Sequence, residues 1–303
     1  MTAFSIQPAI YHREPFAAHV GAVETLAANG IKPPEAWTGL RNRHAEYMQL
    51  GNRHAGLLSA EIITGAGDPD HLATLRNLAL LDEMATGEAE LRINAQVQQA
   101  VLEQLQGIYR PCAEFNYRLA RERYDELGRR FTLCATGIDV EAGADTLGRS
   151  DKRQRQAWFD ATEIAPELEN ALRVLCAAAA LAGAPPDVAF LNRSTDAATV
   201  EYQIAIALDP GKAHRRQTWL AWGTTGGRTG RWGPLAALGV KLQAASRPDR
   251  VKPYKRPAQP VQVLDPAGVV RSWDPHDGKP PAGWKRALQG WYEGGGNDSD
   301  WGD

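Results

Sequence analysis

Cysteine and methionine are both scarce, with three of each in 303 residues. Cys112, Cys134 and Cys176 are odd in number, widely spaced and never arranged as C-x-x-C. That pattern excludes a disulfide framework and a zinc cage as the basis of the fold. The three read as small apolar core residues in a reducing compartment, since no activating base stands near any of them in sequence. Long hydrophobic runs are missing too. The longest, Val174 to Ala182, is about half of the roughly 20 residues that a membrane-crossing helix needs. The first residues, Met1 to Pro8, show no basic stretch followed by an apolar one and a small-residue cleavage site, so no secretion signal is expected. The expected location is therefore the cytoplasm or a virion, away from membranes.

Phosphate and nucleophile signatures are equally absent. There is no Gly-x-x-x-x-Gly-Lys-[Ser/Thr] loop for a nucleoside triphosphate and no Gly-x-Ser-x-Gly elbow for a catalytic serine. Metal sites do little better. Trp273-Asp274-Pro275-His276-Asp277-Gly278 brings two carboxylates and an imidazole together, but Asp-Pro and Asp-Gly are ordinary turn pairs and no further ligand has suitable spacing. His44 and His54 would stand about 15 Å apart on one continuous helix, too far to share an ion. No catalytic residue, metal ligand or cofactor is expected.

Apolar residues make up 43% of the chain, enough for a real core, which excludes wholesale disorder. The net charge of −2 conceals a strong polarity. Residues 211–257 carry +10, against −9 for residues 1–210 and −3 for residues 258–303. An acidic body with a basic segment suits contact with a polyanion, or pairing of the two regions within an assembly.

The periodicity predicts a mainly α fold, with long antiparallel helices in the N-terminal two-thirds, a small mixed α/β segment and an extended Pro/Trp-rich arm. The expected division is a helical domain over 1–185, the mixed segment over 186–245 and the arm over 246–303. A helical pattern runs from Glu35 to Thr64 with an interruption at Gly51. Asp68-Pro69 reads as an N-cap followed by proline in the first helical position. Val97, Val101, Leu105 and Ile108 then form the stripe of a helix buried along one face. Pro111 is expected to break or kink that helix, and Pro166 to start a new one after the helix opened by Ser150-Asp151. Gly183-Ala184-Pro185-Pro186 marks a boundary. Beyond it, Tyr202, Ile204, Ile206 and Leu208 alternate and predict a strand over 200–208, with a second over 217–222. Eight prolines follow Ser246, with a hairpin expected across Val261 to Val270.

The least ordinary stretch is Trp219 to Gly233, which reads WLAWGTTGGRTGRWG. Its glycines let backbone N–H groups approach an anion, its arginines offer forked contacts to phosphate, and its tryptophans offer faces for base stacking. Candidate nucleic-acid or polyanion contacts are Arg215, Arg216, Trp222, Arg228, Arg231, Trp232 and Lys241. The same glycines also allow a tight turn in which the tryptophans pack as core. Arg228-Thr229-Gly230-Arg231-Trp232 with Val240 to Gln243 and Arg247 resembles the template-contacting motif of phage family A DNA polymerases, which implies backbone contacts to a primer-template. The likeness covers some 20 residues, and the few residues that follow exclude an autonomous polymerase. Read as Gly223-x-x-Gly226-x-Arg228-Thr229-x-Arg231, the loop is similar to the glycine-rich loop of the RNA-binding RAMP proteins of CRISPR complexes. One short loop that resembles two unrelated families establishes membership of neither.

Seven of the nine tryptophans fall in the last 85 residues. Tryptophan is enriched at interface hot spots, so Trp273, Trp284, Trp291 and Trp301 are candidate docking residues for a neighbouring subunit. The leading expectation is a non-enzymatic structural or assembly protein, of the kind found in phage-like virions, that forms a homo-oligomer or larger assembly through its arm. The alternative is a nucleic-acid-binding accessory protein that uses the basic loop.

Overall fold

A computed structural model describes residues 15–48, 53–64, 68–84, 88–185, 197–277 and 282–286. The fold is mainly α. Its helices are α1 (Pro15–Ala28), α2 (Glu35–Met48), α3 (Arg53–Thr64), α4 (Pro69–Met84), α5 (Glu88–Gly137), α6 (Ala144–Leu147), α7 (Lys152–Leu181), α8 (Ala197–Ala207), α9 (Arg215–Trp222) and α10 (Trp232–Ala237). Among the described residues, no helix is long and apolar enough to cross a membrane.

Several helix ends follow from local chemistry. Asp68 caps α4, its Oδ1 accepting the His71 N–H at 2.9 Å. A reciprocal capping box opens α7: Asp151 Oδ1 accepts the Gln154 N–H at 2.8 Å, and Gln154 Oε1 accepts the Asp151 N–H at 3.0 Å. α7 ends where Gly183 takes a φ of 101°, and the Ala184 N–H returns to the Ala179 carbonyl at 2.9 Å.

The expected breaks at the two prolines are corrected. Pro111 lies inside the 50-residue α5 and Pro166 inside the 30-residue α7. Each removes one N–H from the ladder, but the helix is buried on both sides of it. Leu105, Tyr109, Ala113 and Tyr117 are buried around Pro111, and Ile164, Ala165, Leu168 and Leu172 around Pro166. Burial on this scale, about 1.5–3 kcal/mol for each large side chain, outweighs the roughly 3 kcal/mol cost of an interior proline.

The two strands expected at 200–208 and 217–222 are also corrected, since both segments are helical: α8 covers the first and α9 the second. In α8, Thr199, Gln203, Ile206 and Ala207 are buried at spacings of four, three and one. Alanines stand between the large residues, so the segment is apolar on nearly every side and an alternating pattern fits it as well as a helical one. In α9, Thr218, Ala221 and Trp222 are buried, a spacing of three and four that the arginines beside them obscure.

The chain packs as two compact units. The first comprises Met1–Glu126, Leu168–Ala207 and Ala244–Lys252. Its core gathers Leu26 of α1, Trp37 of α2, Leu105, Tyr109 and Tyr124 of α5, Leu168, Leu172 and Leu175 of α7, and Ile204 of α8, all at most 3% exposed. Long-range polar staples complete it. The Tyr117 hydroxyl donates to the Ala245 carbonyl at 2.6 Å and the Tyr124 hydroxyl to the Ala207 carbonyl at 3.0 Å. The Ala244 N–H donates to Asp125 Oδ1 at 2.7 Å.

The second unit comprises Leu127–Glu167, Leu208–Gln243 and Pro253–Asp303. Within it the end of α5 and the start of α7 run antiparallel, as expected. The Gln154 amide reaches the Gly137 carbonyl at 3.5 Å, and Arg130, Leu133 and Cys134 share a cleft with Asp160, Glu163, Ile164 and Glu167. Gly128 lies tight against Leu242, where a Cβ would run into the Leu242 carbonyl oxygen and stand 2.9 Å from the Leu242 Cβ. The expected hairpin is present as β1 (Val261–Leu264) and β2 (Val270–Trp273), antiparallel with Leu264 opposite Val270, and β3 (Lys285–Arg286) pairs with the other edge of β1. Asp265 organises the turn, its Oδ1 accepting the Ala267 and Val269 N–H groups at 2.9 Å each, while Gly268 supplies a φ of 80°.

Candidate functional site

The Gly/Arg/Trp loop connects α9 to α10 in the second unit, and it does cradle an anion: the carboxylate of the chain's own Glu141. Glu141 Oε2 accepts the Arg228 N–H at 2.9 Å, and Oε1 accepts the Thr229 N–H at 2.9 Å and the Thr229 hydroxyl. Thr229 Oγ1 in turn accepts the Gly233 N–H at 3.1 Å, at the start of α10. Two glycines make the approach feasible. Gly227 has a φ of 87°, and a Cβ there would stand 2.6 Å from Glu141 Oε2. At Gly233 a Cβ would stand 2.6 Å from Thr229 Oγ1 and 2.9 Å from Glu141 Oε1. Burial raises the Glu141 pKa, but the Thr229 hydroxyl and the two backbone donors outweigh it and hold the carboxyl below its ordinary value.

Arg228 turns its guanidinium inward. It donates to the Val140 carbonyl at 2.9 Å, to the Trp158 carbonyl at 3.5 Å and to the Thr162 hydroxyl, and it lies over the face of the Trp158 indole. Trp158 is fixed in turn by its Nε1, which donates to the Ala142 carbonyl at 3.0 Å. Burial lowers the Arg228 pKa, and the nearby Glu141 partly offsets this.

The two loop tryptophans are core residues. Trp222 is 3% exposed and Trp232 1%, their rings meeting edge to face at 6.5 Å, and the Arg231 guanidinium covers Trp222 at 4.8 Å. Arg216 pairs with Asp274, one contact measuring 3.0 Å, and also donates to the Ala258 carbonyl. This pairing, with the His276 N–H, holds Asp274 down to about 2. The His276 ring accepts the Ala258 N–H at 3.1 Å, and the Arg216–Asp274 pair ties the end of the hairpin to α9. Arg215 is exposed with its guanidinium 5.3 Å from the Tyr254 ring, and Lys241 is exposed and 3.4 Å from Asp209. Trp273 and Trp284 are half-buried, while Trp291 and Trp301 lie outside the described residues.

The structure thus brings Trp222, Arg231 and Trp232 together, and places Arg228 on the Glu141–Trp158 side of the same loop. Arg215 and Arg216 stand at the start of α9, toward the hairpin. Sequence reasoning missed Glu141 and Trp158. The acidic, glycine-rich run 137–149 offered Glu141 as one of several carboxylates, and nothing in the spacing of residues 141 and 228 links them. Among the described residues, no group of three or more His, Cys, Asp or Glu side chains is placed to hold a metal ion. Compared with protein-family models, characterised proteins and solved structures, the chain matches none.

A second feature stands apart from the loop. On α3 and α4 of the first unit, Ile62, Ile63, Leu80 and Leu81 are 61%, 83%, 48% and 59% exposed. Among the described residues of these two helices only Leu75 is buried.

Proposed function

We propose that the chain is a non-enzymatic structural component of a homo-oligomer or larger protein assembly, of the kind found in phage-like virions, working in the cytoplasm or the virion. The observation that carries this reading is the exposure of Ile62 and Ile63 on α3 and of Leu80 and Leu81 on α4. Large aliphatic side chains left in water on both helices of a pair mark a surface that another molecule covers. A second copy is the simplest occupant, because a two-fold axis sets the same apolar patch against itself. The arm gives a further attachment through Trp273, Trp284, Trp291 and Trp301, residues of the type that anchors interfaces.

The nucleic-acid reading draws less support. Trp222 and Trp232 face the core, and the guanidinium groups of Arg216 and Arg228 bond within the chain. The test is size-exclusion chromatography with light scattering at micromolar concentration. The runs compare the full chain, the I62E/I63E variant and a truncation after Arg286, each with and without single-stranded oligonucleotide. An oligomer that falls apart in I62E/I63E supports the proposal. A monomeric wild type overturns it, and a mass shift seen only with oligonucleotide and reversed by salt favours the basic loop.

A further inference from the structure

The first unit holds two histidines among aromatic rings on α1 and α2, His44 buried and His19 half-buried. His19 of α1 accepts the Trp37 Nε1–H of α2 through its own Nε2 at 3.3 Å, and its ring stands edge-on to Tyr109 of α5 at 6.1 Å. His44 of α2 lies 4.6 Å from the Phe16 ring of α1 and 6.4 Å from Tyr47, and its buried Nε2 has no hydrogen-bond partner among the described residues. The Tyr47 hydroxyl donates to Asn94 Oδ1 of α5 at 2.9 Å.

Both imidazoles are suited to the neutral form only. Trp37 can donate to His19 Nε2 only while that nitrogen carries a lone pair, so a proton there replaces a hydrogen bond with two opposed N–H groups. A proton on His44 Nε2 would create a buried donor and a charge among aromatic rings. Among the described residues, no carboxylate is hydrogen-bonded to either ring. The described titratable groups that touch the two rings are Tyr47 on α2 and Tyr109 on α5, with Cys112 beside Tyr109. Burial raises both Tyr109, to about 12, and Cys112, so they stay uncharged in acid. Glu24 of α1 pairs with Arg41 of α2 at 2.7 Å on the exposed side.

We propose that the α1–α2 pair is an acid-released element, held on α5 in neutral solution by two uncharged histidines and freed when His19 and His44 take up protons. Burial lowers the pKa of both, that of His19 from 6.5 to about 4, so the released form binds protons more readily than the docked one. The docked form is favoured above about pH 6.5, and the preference falls as pH drops toward 4.

Hydrogen exchange read by mass spectrometry on the full chain tests this at about pH 7 and pH 4.5, with intrinsic rates corrected. In the wild type the α1 and α2 amides should lose roughly tenfold or more of their protection relative to the buried part of α7. In H19Q the amide oxygen can still accept from Trp37 but does not titrate, so a smaller loss is expected. Unchanged wild-type protection, or an H19Q loss equal to that of the wild type, overturns the proposal. If H19Q leaves α1 and α2 unprotected at pH 7, the wild-type His19 ring titration by NMR decides. A midpoint well below 6 supports the proposal and one near 6.5 overturns it.

Discussion

The loop between α9 and α10 and the pair formed by α3 and α4 use opposite materials to opposite ends. The loop is rich in arginine, threonine and tryptophan, residues associated with recognition, yet it satisfies them internally: Glu141 fills the backbone cradle, Trp158 underlies Arg228, and Trp222 packs on Trp232. The α3–α4 pair is built from ordinary leucine and isoleucine, and it leaves Ile62, Ile63, Leu80 and Leu81 in water. An exotic composition can be the cost of folding a glycine-rich turn, while a plain helix pair leaves large aliphatic side chains exposed.

If the loop is a fold lock, its substitutions should lower stability in a definite order. Glu141→Ala strands two backbone N–H groups and the Thr229 hydroxyl, and should cost about 3 kcal/mol in chemical denaturation. A loss under 1 kcal/mol would mean that the cradle is open to outside anions instead. Gly128→Ala drives a methyl group into the Leu242 backbone and should cost about 2 kcal/mol. Arg228→Lys keeps the charge but loses the forked contacts and the stack on Trp158, a loss of about 1–2 kcal/mol by the same measurement. The smallest stability effect is expected on the other side of the comparison: Ile63→Ser should change monomer stability by no more than about 0.5 kcal/mol while lowering the oligomeric mass.

The lock should also show in acid. Glu141 has a lowered pKa in the folded state, so its contribution is fully present above its ordinary value near 4.5 and is lost as pH falls below that. Glu141→Gln should remove this part of the acid sensitivity and leave that of His19 in place. Stability measured across pH 3 to 7 in the two proteins checks this.

Much of the helical body was legible in the sequence, because Val97, Leu105 and Ile108, the Asp68-Pro69 start and the Gly183 stop act over a turn or two. The hairpin was legible for the same reason, since Asp265 and Gly268 fix their own turn. Pro111 and Pro166 misled because a local rule met non-local burial, and Val200 to Leu208 misled because an alanine-filled apolar segment satisfies both periods. The loop announced itself by composition, but its anion did not. Residues 141 and 228 are 87 positions apart, and only the folded chain shows that the carboxylate is supplied from within.

The tyrosine staples on α5 have a consequence in time. Tyr117 and Tyr124 wait for carbonyls 128 and 83 residues further along, and Asp125 for an amide 119 residues away. At a synthesis rate of about 5–20 residues per second, the middle of α5 emerges from the ribosome on the order of ten seconds before the segment that fastens it. During that interval Tyr117, Tyr124 and Asp125 lack these partners, and contacts of such long sequence separation form slowly. The nascent chain should therefore need protection over this window, and a pulse of protease during translation should cut within α5 until residue 245 has left the exit tunnel.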